Sequence, residues 1–366
     1  MNYAAPWWLP GGNLQTIWAA FRSQRFLGQQ PLFRRERWTT PDSDFVDVDW
    51  SEDIEPPRSP ASRGSLPPEG TLRLRPGKAG SAAPAGEDVT LAHSTAGAVI
   101  GKQPLLVLFH GLEGSSGSHY AEAFADVARS RGWACAVPHF RGCSGELNLG
   151  PRAYHSGDFA EIDWILKRFA RQHAGPVMAV GISLGGNALM RWAAEEGAQA
   201  RRVVAAVASV CSPLDLAASG WAIGRGFNRQ VYTRMFLRSM VPKALKKLDQ
   251  HPGLFDREKL LAARDLYAFD NIFTAPLHGF KNADDYWERA SAKPHLHRIA
   301  VPALALNALN DPFIPRSSLP QSAAVGQHLT LWQPATGGHV GFPSAPFPGH
   351  VRAMPEAVAN FLASQL

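Results

Sequence analysis

The pentapeptide Gly181-Ile182-Ser183-Leu184-Gly185 stands between two segments of opposite character. Before it, Pro176-Val177-Met178-Ala179-Val180 is a short apolar run of the length of a buried strand. After it, the pattern from Asn187 to Glu195 predicts a helix. Gly-x-Ser-x-Gly between a strand and a helix has the spacing of a nucleophile elbow. The glycines serve sterics. At so sharp a turn, a side chain two positions either side of Ser183 strikes the neighbouring strand or helix, and the serine itself takes a strained backbone conformation.

Outward from the elbow, apolar runs alternate with helical patterns. Leu105–Phe109 reads as a fully buried strand leading into His110-Gly111-Leu112-Glu113-Gly114. A helix is expected over Tyr120–Ser130, a strand over Trp133–Val137 and an amphipathic helix over Phe159–Phe169 with Ile162, Ile165, Leu166 and Phe169 on one side. Another buried strand is expected over Val203–Val210. This rhythm predicts an α/β fold with a mostly parallel central sheet covered by helices on both faces. From residue 213 to 297 the alternation stops and only helical patterns remain, rich in aromatic and basic residues. We read 213–297 as a helical cap over the carboxyl edge of the strands, where ligands bind in such sheets. The sheet resumes at Ala303–Asn307 and Leu329–Trp332, and Ala353–Leu366 closes the chain as a helix. The core is thus residues 1–212 and 298–366.

The amino-terminal part is less regular. Asp44-Phe45-Val46-Asp47-Val48-Asp49-Trp50 alternates acidic and apolar residues and predicts a half-exposed antiparallel strand. Residues 51–103 are crowded with Pro, Gly, Ser and Ala, a composition that buries too little apolar surface to offset chain entropy. Most of that span is expected to be a flexible insertion, with Thr71–Leu74 a short strand. A short helix is expected from about Asn13. Trp7, Trp8 and Trp18 are read as docking the terminus onto the core, the other reading being that they wall an acyl pocket.

A serine hydroxyl needs a base, and a histidine base needs a group that fixes its tautomer. Elbow enzymes carry these in the order Ser, Asp, His. Asp311 lies in Asn310-Asp311-Pro312-Phe313, just past strand 303–307, and His339 lies in Thr336-Gly337-Gly338-His339, just past strand 329–332. We assign Ser183, His339 and Asp311 as catalytic. Asp215 and His350 are the nearest rivals, and Asp270 and Asp285 are read as surface charges of the cap. The oxyanion of an acyl-transfer intermediate needs two backbone N–H donors. Leu184 and Leu112 are assigned, while His110 is read as bonding loop backbone. His295 and His297 lack spaced carboxylate or cysteine ligands, so no metal is expected, and no cofactor motif is present.

Composition narrows the classes. With 366 residues, of which 45% are hydrophobic, the chain has ample material for a core. The net charge of +6 is dispersed. Its densest clusters, Arg34–Arg37 and Lys243–Lys247, are read as solvated faces, with no nucleic-acid motif beside them. Cys135, Cys143 and Cys211 form no disulfide framework. The stretch Met1–Trp8 lacks a basic segment followed by an apolar one, so no signal peptide is expected, and no run of ~20 apolar residues occurs. A cytoplasmic monomer acting on a small acyl ester is expected, with contact to a membrane surface left open.

Taken together, Pro6-Trp7-Trp8-Leu9-Pro10-Gly11-Gly12-Asn13-Leu14-Gln15-Thr16, His110–Ser115, His139–Gly145, Tyr154–Gly157, Gly181–Asn187 and Asn310–Phe313 resemble the YheT-type esterases. That family is related to the eukaryotic ABHD1, ABHD2 and ABHD3 lipid hydrolases and to the yeast medium-chain ethyl-ester synthases. The resemblance implies an α/β-hydrolase fold, carboxylic-ester hydrolysis and a triad matching Ser183, Asp311 and His339. It implies two chemistries for one acyl-enzyme: a serine carboxylesterase, or an alcohol O-acyltransferase that passes the acyl group to an alcohol. A non-catalytic lipid carrier on the same fold is the reading from another class. The eukaryotic relatives' membrane helix is not expected to carry over, and residues 51–103 match no part of the family's pattern.

Overall fold

The computed structural model describes residues 3–52 and 102–366. The expected insertion over 51–103, with its strand at Thr71–Leu74, falls almost wholly outside the described residues. Helix α1 (Gly12–Arg22) is followed by strands β1 (Phe33–Thr39) and β2 (Phe45–Ser51). After the insertion come β3 (Leu105–Phe109), α2 (His119–Ser130), β4 (Ala134–Pro138), α3 (Phe159–Gln172), β5 (Val177–Ile182), α4 (Leu184–Glu196) and β6 (Ala206–Val210). Strands β7 (Ala303–Leu306) and β8 (Leu329–Trp332) complete the sheet, whose order is β1-β2-β4-β3-β5-β6-β7-β8. Pairs β1–β2 and β2–β4 are antiparallel and every other pair is parallel. The inner strands β3, β5, β6 and β7 are buried along their whole length, as continuous apolar runs must be when helices cover both faces.

Between β6 and β7 lie only helices: α5 (Leu216–Ile223), α6 (Gly226–Asn228), α7 (Arg234–Gln250), α8 (Arg257–Ala262), α9 (Leu266–Phe269), α10 (Ala275–Leu277) and α11 (Ala283–Ala290). Single π-turns at Arg229–Thr233 and Asp270–Thr274 join α6 to α7 and α9 to α10. The insertion has its own apolar clusters, one around Leu260, Phe269 and Phe273 and one around Leu216, Tyr286 and Trp287. Helix α12 (Ala353–Ala363) ends the fold. Among the described residues no helix is long and apolar enough to cross a membrane.

Four expectations need correction. Strand β2 is buried, not half-exposed, because Arg35 and Arg37 of β1 cover its acidic face. Each guanidinium forks onto one carboxylate, Asp49 and Asp47 respectively. Lys243–Lys247 is not simply a solvated face. Lys247 is buried and donates to the carbonyls of Asn148 and Gly150, and Lys243 pairs with Glu113 at 2.9 Å. Asp270 is no surface charge: it accepts from Thr274 Oγ1 and Trp287 Nε1, and burial raises its pKa to about 6. The tryptophans divide. Trp8 packs edge-on against Trp18, whereas Trp7 is exposed, so it does not dock the terminus.

Candidate active site

The elbow forms where β5 hands over to α4. Ser183 has φ 51° and ψ −117°, a conformation costing about 1–3 kcal/mol that the surroundings must hold. They do so through backbone contact too close for side chains. A Cβ on Gly181 would lie 2.5 Å from Gly185 O, and one on Gly185 would lie 2.5 Å from His110 O. The Ser183 N–H donates to Val210 O on β6 at 2.8 Å.

Around that turn the three assigned side chains meet. His339 Nε2 lies 3.0 Å from Ser183 Oγ, and His339 Nδ1 lies 2.8 Å from Asp311 Oδ2. Asp311 is buried, and its other oxygen accepts from Phe313 N–H at 2.8 Å. The imidazole also rests on the Phe313 ring, with centroids 4.2 Å apart. Asp311 therefore holds Nδ1 protonated and leaves Nε2 to accept from the serine. Asp215 is elsewhere: it caps α5 through Ala218 N–H and pairs with Lys293. His350 forms isolated bridges with Gln24 and Ser344.

Leu112 and Leu184 flank Ser183. The neighbouring Gly111 and Glu113 N–H groups donate to Tyr120 Oη and Tyr154 Oη, and Gly186 and Asn187 N–H donate to Ser183 O. Among the described residues, the N–H groups of Leu112 and Leu184 meet no protein acceptor. Two backbone donors, on residues that line a cavity together with Ser183, are thus left without a protein acceptor. His110 accepts from Phe140 N–H at Nε2, 3.0 Å, so its proton sits on Nδ1 and goes to Gly111 O at 2.8 Å. Burial lowers its pKa to about 3, and it stays neutral.

Several supporting residues had no signal in the residue patterns of the chain. Gln15 of α1 is buried, and its Oε1 accepts from Asn310 Nδ2 at 3.0 Å and Gly337 N–H at 2.9 Å. It thereby braces the loops carrying Asp311 and His339 together. Thr16 Oγ1 accepts from His339 N–H at 2.8 Å. Asn187 of α4 donates to Ser156 O and Ala290 O and accepts from Ala292 N–H, fastening the elbow helix to the end of the helical insertion. Only their place inside the Pro-Gly-Gly-Asn-Leu-Gln-Thr and Gly-Gly-Asn motifs marked them. Cys211 Sγ, Asp311 and His339 converge within 4.8 Å. The histidine and carboxylate engage each other, and burial followed by the nearby Asp311 keeps the thiol protonated, so this donor set is poor for a metal.

Cavities open on both sides of Ser183. The outer one, about 280 Å³, is lined by Ile17, Ala20, Val231, Met235, Ser183 and His339. The inner one, about 100 Å³, is lined by Leu184, Ile223, Met240, Leu266, Trp287 and Ser183. A third of about 70 Å³ shares Leu184, Met240, Asp270 and Tyr286 with the inner one and ends among Lys243 and Lys247. Phe236 and Phe313 line both the outer and the inner cavity.

A sheet of this order, an elbow serine and a histidine–aspartate pair on later strands define the α/β-hydrolase class. Residues 104–346 match the family model described as alpha/beta hydrolase fold. The chain is 40% identical over 263 residues to the putative esterase YheT of Escherichia coli (strain K12), covering 71% of this chain and 76% of that protein. It is 27% identical over 269 residues to phospholipase ABHD3 of Mus musculus and 28% identical over 252 residues to the monoacylglycerol lipase of Saccharomyces cerevisiae. Those alignments cover 71% and 66% of this chain but 63% and 55% of the relatives, less than two thirds of their length. The solved structure of DcsB in complex with its substrate analogue shares the fold, with a TM-score of 0.52 and 14% identity over 92% of this chain and 100% of that one. The chain belongs to the YheT/ABHD-type group of esterase- and lipase-type α/β hydrolases.

Proposed function

We propose that this chain is a serine carboxylesterase acting on acyl esters of medium-chain or lipid-like character. The observation that carries the reading is His339 lying 3.0 Å from Ser183 Oγ while its far nitrogen lies 2.8 Å from buried Asp311. Ser183 Oγ attacks the ester carbonyl as His339 Nε2 takes its proton. The oxyanion is held by Leu112 and Leu184 N–H, and Asp311 stabilises the imidazolium. His339 then returns the proton to the departing alkoxide, leaving an acyl-enzyme, and the same base activates water to release the acid. The alcohol must leave beside His339, so it occupies the outer cavity. The acyl chain occupies the inner cavity, lined by Leu184 and not by His339. Relatives named esterase, phospholipase and monoacylglycerol lipase support the ester substrate class.

The test is turnover of p-nitrophenyl esters of graded acyl length and labelling by a fluorophosphonate. Ser183→Ala is expected to lower kcat by at least about 10³-fold and to abolish the label. Undiminished labelling of that variant would overturn the assignment. The apolar outer cavity also favours an alcohol competing with water for the acyl-enzyme, which is acyl transfer. Product analysis with added ethanol separates the two chemistries, since only free acid at every ethanol concentration excludes transfer.

A further inference from the structure

The mouth of the outer cavity is rimmed by apolar side chains facing solvent. Leu14 and Phe21 lie seven residues apart on α1 and so share a face. Across the mouth, Phe227, Val231 and Met235 recur at four-residue spacing through α6, the π-turn and the start of α7. All five are exposed, Phe21 at 69% and Phe227 at 53%. Tyr232 Oη donates to Asn13 Oδ1 at 2.9 Å, so the two sides are tied together. Phe21, Val231 and Met235 also line the cavity itself, which makes the rim continuous with the wall that leads to Ser183 and His339. Scattered exposed apolar residues are ordinary, but a set gathered round the entrance of a cavity marks a contact surface.

Charge identifies what it contacts. Residues 1–35 contain no Asp or Glu, and residues 216–248 contain no Asp or Glu and seven Lys or Arg, of which Lys247 is buried and Lys243 is paired with Glu113 away from this face. Arg22 sits beside Phe21, while Arg234 and Arg238 fall on the same helical face as Val231 and Met235. These three arginines are exposed and take part in none of the salt bridges among the described residues. An apolar patch with basic residues at its margin is the composition that settles into the headgroup region of an anionic bilayer. A second copy fits worse, because a two-fold contact through this face would set arginines against arginines. We propose that this face docks on an anionic phospholipid bilayer, with the mouth of the outer cavity turned toward the lipid. The proposal deepens the esterase reading by naming where the ester is taken from, but docking itself does not require Ser183 to be the nucleophile.

Co-sedimentation with vesicles tests it, using the full chain carrying Ser183→Ala so that lipid stays intact. Binding to phosphatidylglycerol–phosphatidylcholine vesicles is expected to be at least about tenfold tighter than to phosphatidylcholine alone, and to weaken as salt is raised. Adding Arg234→Glu and Arg238→Glu together, or Phe227→Asp alone, is expected to lower that binding by about tenfold or more, while Arg171→Glu on α3 leaves it unchanged. Absence of binding, equal binding to both compositions, or equal loss in the Arg171 variant overturns the proposal. So does a concentration-dependent doubling of mass in light scattering that Phe227→Asp removes, which would assign the face to a second copy. Ester turnover by the docking variants in the Ser183 background of the native chain, on a soluble short-chain ester, is read separately. Failure of docking and failure of the esterase reading are thus distinguishable.

Discussion

Gln15 is the residue on which the loops carrying Asp311 and His339 converge. Its carboxamide oxygen takes hydrogen bonds from Asn310 and Gly337, and its nitrogen donates to Leu9 O at 2.8 Å. Removing it leaves Gly337 N–H buried without its acceptor, at a cost of about 1–3 kcal/mol, and frees the loops that set the His339–Asp311 distance. Gln15→Ala is therefore expected to lower kcat by about tenfold or more with KM little changed. Gln15→Glu, which keeps the acceptor, should recover part of the loss. Steady-state kinetics of the two variants checks this, and an unchanged kcat in Gln15→Ala would remove Gln15 from the positioning machinery. The contrast with Ser183, Asp311 and His339 explains what was readable in the sequence. Each of those follows a strand in a fixed order, so chain position alone locates it. Gln15 meets Gly337 across 322 residues, and nothing in the local pattern of α1 announces so distant a partner.

The run of strands and helices from β3 to β6 was legible because inner strands of a parallel sheet are short continuous apolar segments. Strand β2 was legible as a strand but not in its burial. Alternation shows that two faces differ in chemistry, not that one of them meets water. The acidic face of β2 meets Arg35, Arg37, Ser116 and His139 instead. Burial raises the carboxyl pKa of Asp49, but the Arg35 fork and the bonds from His139 and Ser116 outweigh it, so Asp49 is held well below the usual carboxylate range. Asp49→Ala strands His139 and Ser116 in the interior and leaves Arg35 without its carboxylate. It should cost about 3–5 kcal/mol, read as a lowered urea midpoint. A midpoint within error of the native one would show that water replaces these contacts freely. A separate carboxylate cluster holds Arg141, buried between Asp44 and Glu161, which ties the loop after β4 to the loop before β2 and to α3.

At the scale of the whole molecule, acid stability follows from neutral histidine buried in the fold. His110 has its pKa lowered by burial from 6.5 to about 3, so between those values the unfolded chain binds the proton and the native chain does not. Stability therefore rises with pH across that window and falls on acidification. From about pH 7 to about pH 5 His110 should remove about 2 kcal/mol. The measure is the difference in the pH dependence of unfolding free energy between the native chain and His110→Gln, because His119 and His155 are lowered by burial in the same way and Asp270 is raised. No difference between the two over that range would mean that His110 is not held neutral. The division of the site into two cavities yields the last expectation, because the arm proposed for the acyl chain is walled largely by residues of the helical insertion. Met240 of α7 lines both the inner cavity and the one beyond it. A tryptophan there adds bulk where the two meet, while the outer cavity, which Met240 does not line, keeps its shape. Met240→Trp should leave p-nitrophenyl butyrate turnover within about twofold and depress the decanoate by at least about tenfold, with the loss in kcat/KM. The expected signature is a shortened chain-length optimum, which a merely destabilised protein would not give. Equal losses on both esters would place the acyl chain elsewhere, and the outer cavity beside His339 would then be the arm to test.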